Sequence, residues 1–288
     1  MFIPAACFFP PTLTMDTLLS YVQALETQTT ATRLQLICHW LDFMGVPYHL
    51  HRYGSGTNLL IPPTQHPYVG ISGHFDVAPG CAGANDNASG VAVILGLLAA
   101  LAEEAPEALG VAVMLFDEEE DGQIGSQAYV RDHSLRDLLG LINLEMVGYG
   151  EHLALWPVAP NQPVPLAHTL ERICRQRHLL VRRFDRIWLH SAAHARFQAA
   201  GLVDSFSLTC ISDEDLQVAE HYYKAMEFDV DLPTLRDIFV RAPLFRHYHQ
   251  ASDRSEHLSE ATLQRTRDLL LQTLFQFEQH LVPPERNS

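Results

Sequence analysis

Three segments of this sequence place imidazole or carboxylate side chains where an apolar run has just ended. Tyr68-Val-Gly-Ile-Ser-Gly runs into His74-Phe-Asp76. Val111-Ala-Val-Met-Leu-Phe116 runs into Asp117 and Glu118-Glu119-Glu120, and Leu141-Ile-Asn-Leu into Glu145. Between the first two lies Gly83-Ala-Asn-Asp86-Asn-Ala-Ser-Gly90, a polar turn ahead of a long apolar stretch, and far downstream stands Tyr248-His249. Imidazoles and carboxylates are the ligands that suit zinc and similar divalent ions. Taken singly, each feature has a bland reading: His-X-Asp as a surface turn, the acidic run as a solvated loop, the glycine turn as a turn only. Their joint occurrence is what points to a metal, because carboxylates gathered in one cleft repel one another unless a cation sits among them.

Such residues need a scaffold that brings distant strand ends together. Apolar spacing predicts helices over 16–26 and 31–44, a strand starting at Pro47 and another over 57–61. The pattern then alternates: strand 68–72, helix 88–102, strand 110–116, helix 125–131, strand 138–144. A helix over 165–177, a strand over 202–208, a short helix over 233–239 and a final helix over 260–281 follow. That last helix puts Leu263, Leu270, Leu274, Phe277 and Leu281 on one face. Strands alternating with helices imply a three-layer α/β fold, a central mostly parallel (mixed) sheet with helices on both faces. Ligands in open α/β sheets bind at the carboxyl ends of strands, so the polar strand ends should converge. With no repeat or linker, residues 1–288 read as a single catalytic domain, with 1–15 as a loose extension and Met15 as an alternative start.

Composition narrows the partners. At 47% hydrophobic and 18% charged residues, the chain buries a full globular core. Its 19 Lys and Arg against 34 Asp and Glu give a net charge of −15, which argues against nucleic acid and anionic membrane as partners. The expected partner is a peptide or aminoacyl small molecule; the oligomeric state is not legible. The longest apolar run, 91–102, ends at Glu103-Glu104 and is short for a bilayer span. Cys7, Cys38, Cys81, Cys174 and Cys210 are scattered without a CxxC pair, which favours free thiols in a reducing compartment. The N-terminus lacks a basic region and carries prolines, so it reads poorly as a signal peptide. A cytoplasmic location is the expectation.

The chain resembles the co-catalytic zinc exopeptidases related to bacterial leucyl aminopeptidase and aminopeptidase Y, a family that includes glutaminyl cyclases. The resemblance rests on Gly73-His74-Phe75-Asp76, on Ala84-Asn85-Asp86-Asn87-Ala88-Ser89-Gly90, on Phe116-Asp-Glu-Glu119-Glu120-Asp-Gly122 with Gly125-Ser126, on Asn143-Leu-Glu145-Met146 and on Tyr248-His249. It implies a zinc-exopeptidase type of α/β fold and two Zn2+ ions. His74, Asp86 and Glu145 would hold one, and Asp86, Glu120 and His249 the other, with Asp86 shared. It also implies Glu119 as general base, Asp76 as the carboxylate that orients His74, and a cis peptide between Asp86 and Asn87. Two departures stand out: Glu145 where the family usually has Asp, and Ser191-Ala-Ala-His194 where it commonly shows Ser-Asp-His. His194 is carried over as a substrate-binding residue, and Cys81 reads as a wall residue. Trp156, Trp188, Tyr222 and Phe245 are candidates for a specificity pocket. The implied activity is removal of N-terminal residues from peptides. The alternatives are a glutaminyl-cyclase-like acyltransferase and a catalytically silent metal-binding relative.

Overall fold

The structure is a computed structural model and describes residues 16–185 and 192–281. Its strands are β1 (His49–Tyr53), β2 (Gly56–Ile61), β3 (Tyr68–His74), β4 (Gly110–Phe116), β5 (Leu138–Leu144), β6 (His152–Trp156), β7 (Val181–Arg183) and β8 (Ser205–Ile211). They form one mixed sheet in the order β1-β2-β4-β3-β5-β8-β6-β7. The central β4-β3-β5-β8 block is parallel, while β2 and β6 run against it. Parallel strands are buried on both faces and therefore read as continuous apolar runs; every residue of β3 is buried. In register, His74 stands opposite Phe116, and Ser72 opposite both Met114 and Asn143. Three polar strand ends thus emerge side by side.

The helices are α1 (Leu18–Leu25), α2 (Thr30–Met44), α3 (Ser89–Glu103), α4 (Ile124–Asp132), α5 (Pro165–Gln176), α6 (His194–Ala199), α7 (Asp213–Glu227), α8 (Leu232–Phe239) and α9 (Glu260–Glu278). Helices α1, α3, α5 and α9 pack together on one face, and α4 and α6 cover the other, completing three layers. Helix α3 is apolar all round because it is enclosed, with every residue from Ser89 to Leu98 buried. By length and composition the stretch Ala84–Glu103 would also suit a membrane span, yet 78% of its window is buried inside the fold, the position of a core helix. On α9, Leu263, Leu270, Leu274 and Phe277 are buried as their spacing requires, and Leu281 packs at the edge.

The structure departs from the sequence pattern mainly between β5 and α9. The strand expected over 202–208 runs Ser205–Ile211. Residues 202–204 instead form a turn after Gly201 (φ +98°), with the Asp204 carbonyl accepting from Leu141 N–H and its carboxylate from Leu166 N–H. Strands β6 and β7 and helices α6 and α7 have no counterpart among the expected elements. Helix α7 buries only Asp215 and Tyr222, so it shows little apolar periodicity. Its start is nonetheless written in the sequence as a capping box: Ser212 accepts from Asp215 N–H while the Asp215 carboxylate accepts from Ser212 N–H. Cys38, Cys81, Cys174 and Cys210 are unpaired; Cys7, Trp188 and Ser191 lie outside the described residues.

The first turn of α4 sits directly on the acidic turn that follows β4. A Cβ at Gly125 would collide with the Asp117 carbonyl oxygen and the Asn58 side-chain oxygen. Gly125→Ala should therefore destabilise the fold by ~1–3 kcal/mol, the usual range for overpacking. A urea midpoint equal to wild type would contradict this packing.

Candidate functional site

Each candidate residue arrives at a strand end or in a tight turn beside one. Strand β3 ends in His74, with Asp76 two residues on, and β5 ends just before Glu145. After β4, Glu118 takes a left-handed φ of 52°, so the chain turns sharply through Glu119 and Glu120. Met146 (φ 53°) and His249 (φ 56°) are also left-handed. Such conformations cost non-glycine residues on the order of 1–3 kcal/mol and cluster at functional sites. In the kinked turn Ala84–Ala88, Asp86 and Asn87 leave helical dihedrals, and the peptide between them is cis, as the resemblance implies.

These elements bring His74, Asp76, Asp86, Glu119, Glu120, Glu145 and His249 into one cleft. His74 Nε2 lies 3.1 Å from Asp86 Oδ1 and 3.4 Å from Glu145 Oε1. His249 Nε2 lies 3.4 Å from Asp86 Oδ2 and 2.8 Å from Glu120 Oε2. Asp86 therefore turns one oxygen towards each imidazole. Ligand atoms of His74, Asp86 and Glu120 all lie within 4.8 Å of one another. Asp76 joins the two halves: Oδ1 lies 3.1 Å from His74 Nδ1, and Oδ2 accepts from Glu120 N–H at 3.0 Å. A carboxylate on the far nitrogen fixes the ring's tautomer and leaves Nε2 as the ligating atom.

The electrostatics follow from burial and crowding. Burial pulls the His74 pKa down, but facing Glu145 and hydrogen bonds to Asp76, Asp86 and Glu145 outweigh it and hold the ring well above its ordinary range. Hydrogen bonds to Asp86 and Glu120 push His249 up to about 10. Burial would raise Asp86, yet its bonds to His249 and His74 hold it below the usual carboxylate range. Burial drives Glu119 well above its ordinary value; His74 pulls it back, and Glu145, Asp86 and Asp76 push it further up. Glu119 is thus a carboxyl whose surroundings favour holding a proton.

The residues have the chemistry to hold a divalent cation. Glu119 Oε1 and Glu120 Oε1 are buried without a hydrogen-bond partner, a costly state for a carboxylate oxygen unless a cation meets it. Two imidazoles and three carboxylates make a donor set that zinc accepts, arranged as His74–Asp86–Glu145 and Asp86–Glu120–His249 around the shared Asp86. A second acid–imidazole group, Glu151, His152 and Asp213, lies where β6 begins and β8 ends, with both carboxylates exposed.

His194 is placed differently from its expected substrate-binding role. It is 2% exposed, with Nδ1 2.6 Å from Ser207 Oγ and its ring edge-on to Trp156. Ser207 accepts from Asn143 Nδ2 at 2.9 Å, and Asn143 also approaches Glu145 Oε2 at 3.4 Å. His194 therefore backs the Glu145 end of the cluster from within the fold, because α6 lays it against β8. Sequence reasoning missed Asp253, whose carboxylate accepts from Asn85 and Asp86 N–H at 2.9 and 3.0 Å. Burial pushes Asp253 up to about 6, against the pull of those amides. Its only signal was proximity to His249. Tyr248 stacks on His249 with ring centroids 3.8 Å apart, and burial with the surrounding carboxylates raises its pKa, keeping the phenol protonated. Beside Glu145, Met146 opens an apolar cavity lined by Trp156, Ile211, Tyr222, Phe239 and Phe245. Three of the four aromatic candidates thus share one cavity.

Comparison with known proteins shows the family and the fold. Residues 59–274 match Peptidase family M28. Over 108 residues the chain is 36% identical to a vacuolar membrane protease of Candida glabrata, covering 36% of this chain and 11% of that protein. Its fold is similar to a zinc aminopeptidase from Bacillus subtilis, with TM-score 0.57 and 23% identity over 81% of this chain and 52% of that chain. It is also similar to Bacteroides thetaiotaomicron glutaminyl cyclase bound to N-acetylhistamine, with TM-score 0.67 and 16% identity over 92% and 98% of the two chains. The chain thus spans about a tenth of the vacuolar protease and about half of the Bacillus enzyme.

Metal-free protein should show the charge state of the cluster directly. A His whose folded pKa is about 10, against about 6.5 unfolded, stabilises fully below the lower value and loses that contribution as pH rises through the higher one. The urea midpoint of chelator-treated protein should fall between those two values, and His249→Gln should flatten the fall, with His74 leaving a residue of the same sign. A wild-type midpoint independent of pH across that window would contradict the arrangement.

Proposed function

Because the chain belongs to peptidase family M28, we propose that it is a zinc-dependent aminopeptidase that removes N-terminal residues from peptides. His74, Asp86 and Glu145 would hold one zinc ion and Asp86, Glu120 and His249 the second. The observation that carries this reading is the Asp86 carboxylate, which faces a different imidazole with each oxygen while Glu119 stands buried and unbonded beside it. When bound, zinc supplies Lewis acidity that lowers the pKa of a water and polarises a carbonyl.

The chain's own residues do the rest. Glu119, with its raised pKa, takes a proton from the attacking water and passes it to the leaving amine. Asp76 keeps His74 in one tautomer while holding the Glu120 backbone, so both ligand sets move as one unit. The acidic cleft attracts the ammonium of a free amino terminus, in line with the net charge of −15. The apolar cavity next to Met146 suits a large apolar side chain on the residue removed. Unpaired Cys38, Cys81, Cys174 and Cys210 support a cytoplasmic location.

A glutaminyl-cyclase-like acyl transfer is the second reading, favoured by the fold similarity that covers 98% of the Bacteroides cyclase chain. Two complete ligand sets and a base placed for water favour hydrolysis.

Two experiments separate these roles. Glu119→Gln should lower turnover at least ~10²-fold, the lower end for a general base, while keeping its zinc; Glu120→Gln should lose zinc. The reverse pattern would move the base to Glu120. On a peptide panel, free N-terminal Leu and Phe should be released faster than N-terminal Glu, and N-acetylated peptides far more slowly than free ones. Equal rates on free and acetylated peptides would count against an aminopeptidase, and pyroglutamate formation without hydrolysis would favour the cyclase.

A further inference from the structure

The largest wholly buried side chain outside the cluster belongs to Arg33, on α2, at 1% exposure. Buried arginines normally meet a carboxylate; this one spends its donors on backbone carbonyls. Its Nε donates to Leu25 O at 3.1 Å. Nη1 reaches Phe75 O at 3.4 Å and Asp76 O at 3.5 Å, and Nη2 reaches Ala82 O at 3.1 Å and Gly83 O at 2.8 Å. The guanidinium therefore grips both arms of the cleft, the segment leaving His74 and the turn entering Asp86. Burial pulls its pKa down, and Asp86, Cys81, Asp253 and Asp76 support the cation from nearby.

The turn it holds is clamped at its other end by charge of the opposite sign. Ala84 N–H donates to the Asp253 carbonyl at 3.0 Å, and the Asn85 and Asp86 amides donate to the Asp253 carboxylate. Arg33 thus holds the Ala82 and Gly83 carbonyls that lead into the turn and Asp253 the amides of its first residues, so Asp86 projects from backbone fixed on both sides. Gly83 is left-handed (φ +68°), and a Cβ there would run into Arg33 Nη2, so the guanidinium packs flush on the turn.

We propose that Arg33 is a positioning residue: its planar fork sets the spacing between the His74 arm and the Asp86 arm, so the shared ligand stands ready before any metal binds. The proposal rests on the zinc reading above for its consequence, though not for its geometry. Charge and fork are separable. Removing the cation would make the cleft more negative and by Coulomb's law attract metal more strongly, so a neutral variant mixes two opposed effects. Arg33→Lys keeps the charge and loses the fork, since an ammonium has three donors from one point where the guanidinium has five in a plane.

The test compares wild type with Arg33→Lys as full chains. Zinc affinity is read by chelator competition, and amide exchange over residues 82–88 is read in chelator-treated protein. Supporting residues of metal ligands are typically worth about 10- to 100-fold in metal affinity. Arg33→Lys should bind zinc at least ~10-fold more weakly, with faster exchange confined to 82–88 and the adjoining 75–77. Unchanged affinity and exchange would overturn the proposal, as would faster exchange spread evenly over the fold. Should Arg33→Lys not fold, Arg33→Gln, which keeps a planar donor group but not the fork, takes its place: zinc affinity and exchange over 82–88 both equal to wild type would overturn the proposal. Failure of wild type to bind zinc would sink the metal reading and leave the exchange arms to judge Arg33.

Discussion

Five carboxylates, Asp76, Asp86, Glu119, Glu120 and Glu145, share one cleft in which, among the described residues, His74, His249 and the nearby Arg33 balance them. Bringing like charges together out of water is costly by both repulsion and lost solvation. Much of the surrounding structure can be understood as a response to that constraint. The two imidazoles are drawn towards protonation, Asp86 is held ionised between them, and Glu119 is pushed towards the neutral acid. Even so, Glu119 Oε1 and Glu120 Oε1 stay without a hydrogen bond. Divalent cations answer the deficit more completely than protons do, since they neutralise charge and satisfy lone pairs together.

The scaffold makes that concentration of charge tolerable through rigidity. Parallel strands β3, β4 and β5 end side by side, so His74, the Glu119–Glu120 turn and Glu145 need no long loop to meet. The buried first turns of α3 anchor the turn carrying Asp86, with Asn87 donating to the Leu144 carbonyl and Ser89 to the Asn85 carbonyl. Left-handed residues at 118, 146 and 249 show where local backbone comfort gives way to the aim of a side chain. The polar relay Ser72–Asn143–Ser207–His194 threads β3, β5 and β8 behind Glu145 and pairs the buried Asn143 amide on both sides.

What was legible in the sequence and what was not divide along a physical line. Periodicity and abrupt polar strand ends report local facts, so β3, β4, β5, α3 and α9, and the residues projecting from the strand ends, could be read directly. Asp86 and His249 needed the family resemblance, since nothing local marks a turn aspartate or a loop histidine as facing a strand end. Helix α7 escaped because it buries little and lacks an apolar stripe, although its Ser212–Asp215 cap was in plain view. Strand β6 pairs antiparallel to β8, outside the alternating pattern. Arg33 and Asp253 escaped for another reason, as did the polar relay that His194 joins. Each acts on backbone or side chains distant in sequence, a relation that leaves no trace in spacing.

The central claim is that Asp86 is shared by two metal sites. Zinc content of purified protein, wild type and Asp86→Ala, tests it most directly. The account predicts two ions per chain in wild type and none retained after dialysis in the variant, since each site loses the same ligand. A single ion in wild type, or one ion kept by Asp86→Ala, would contradict it.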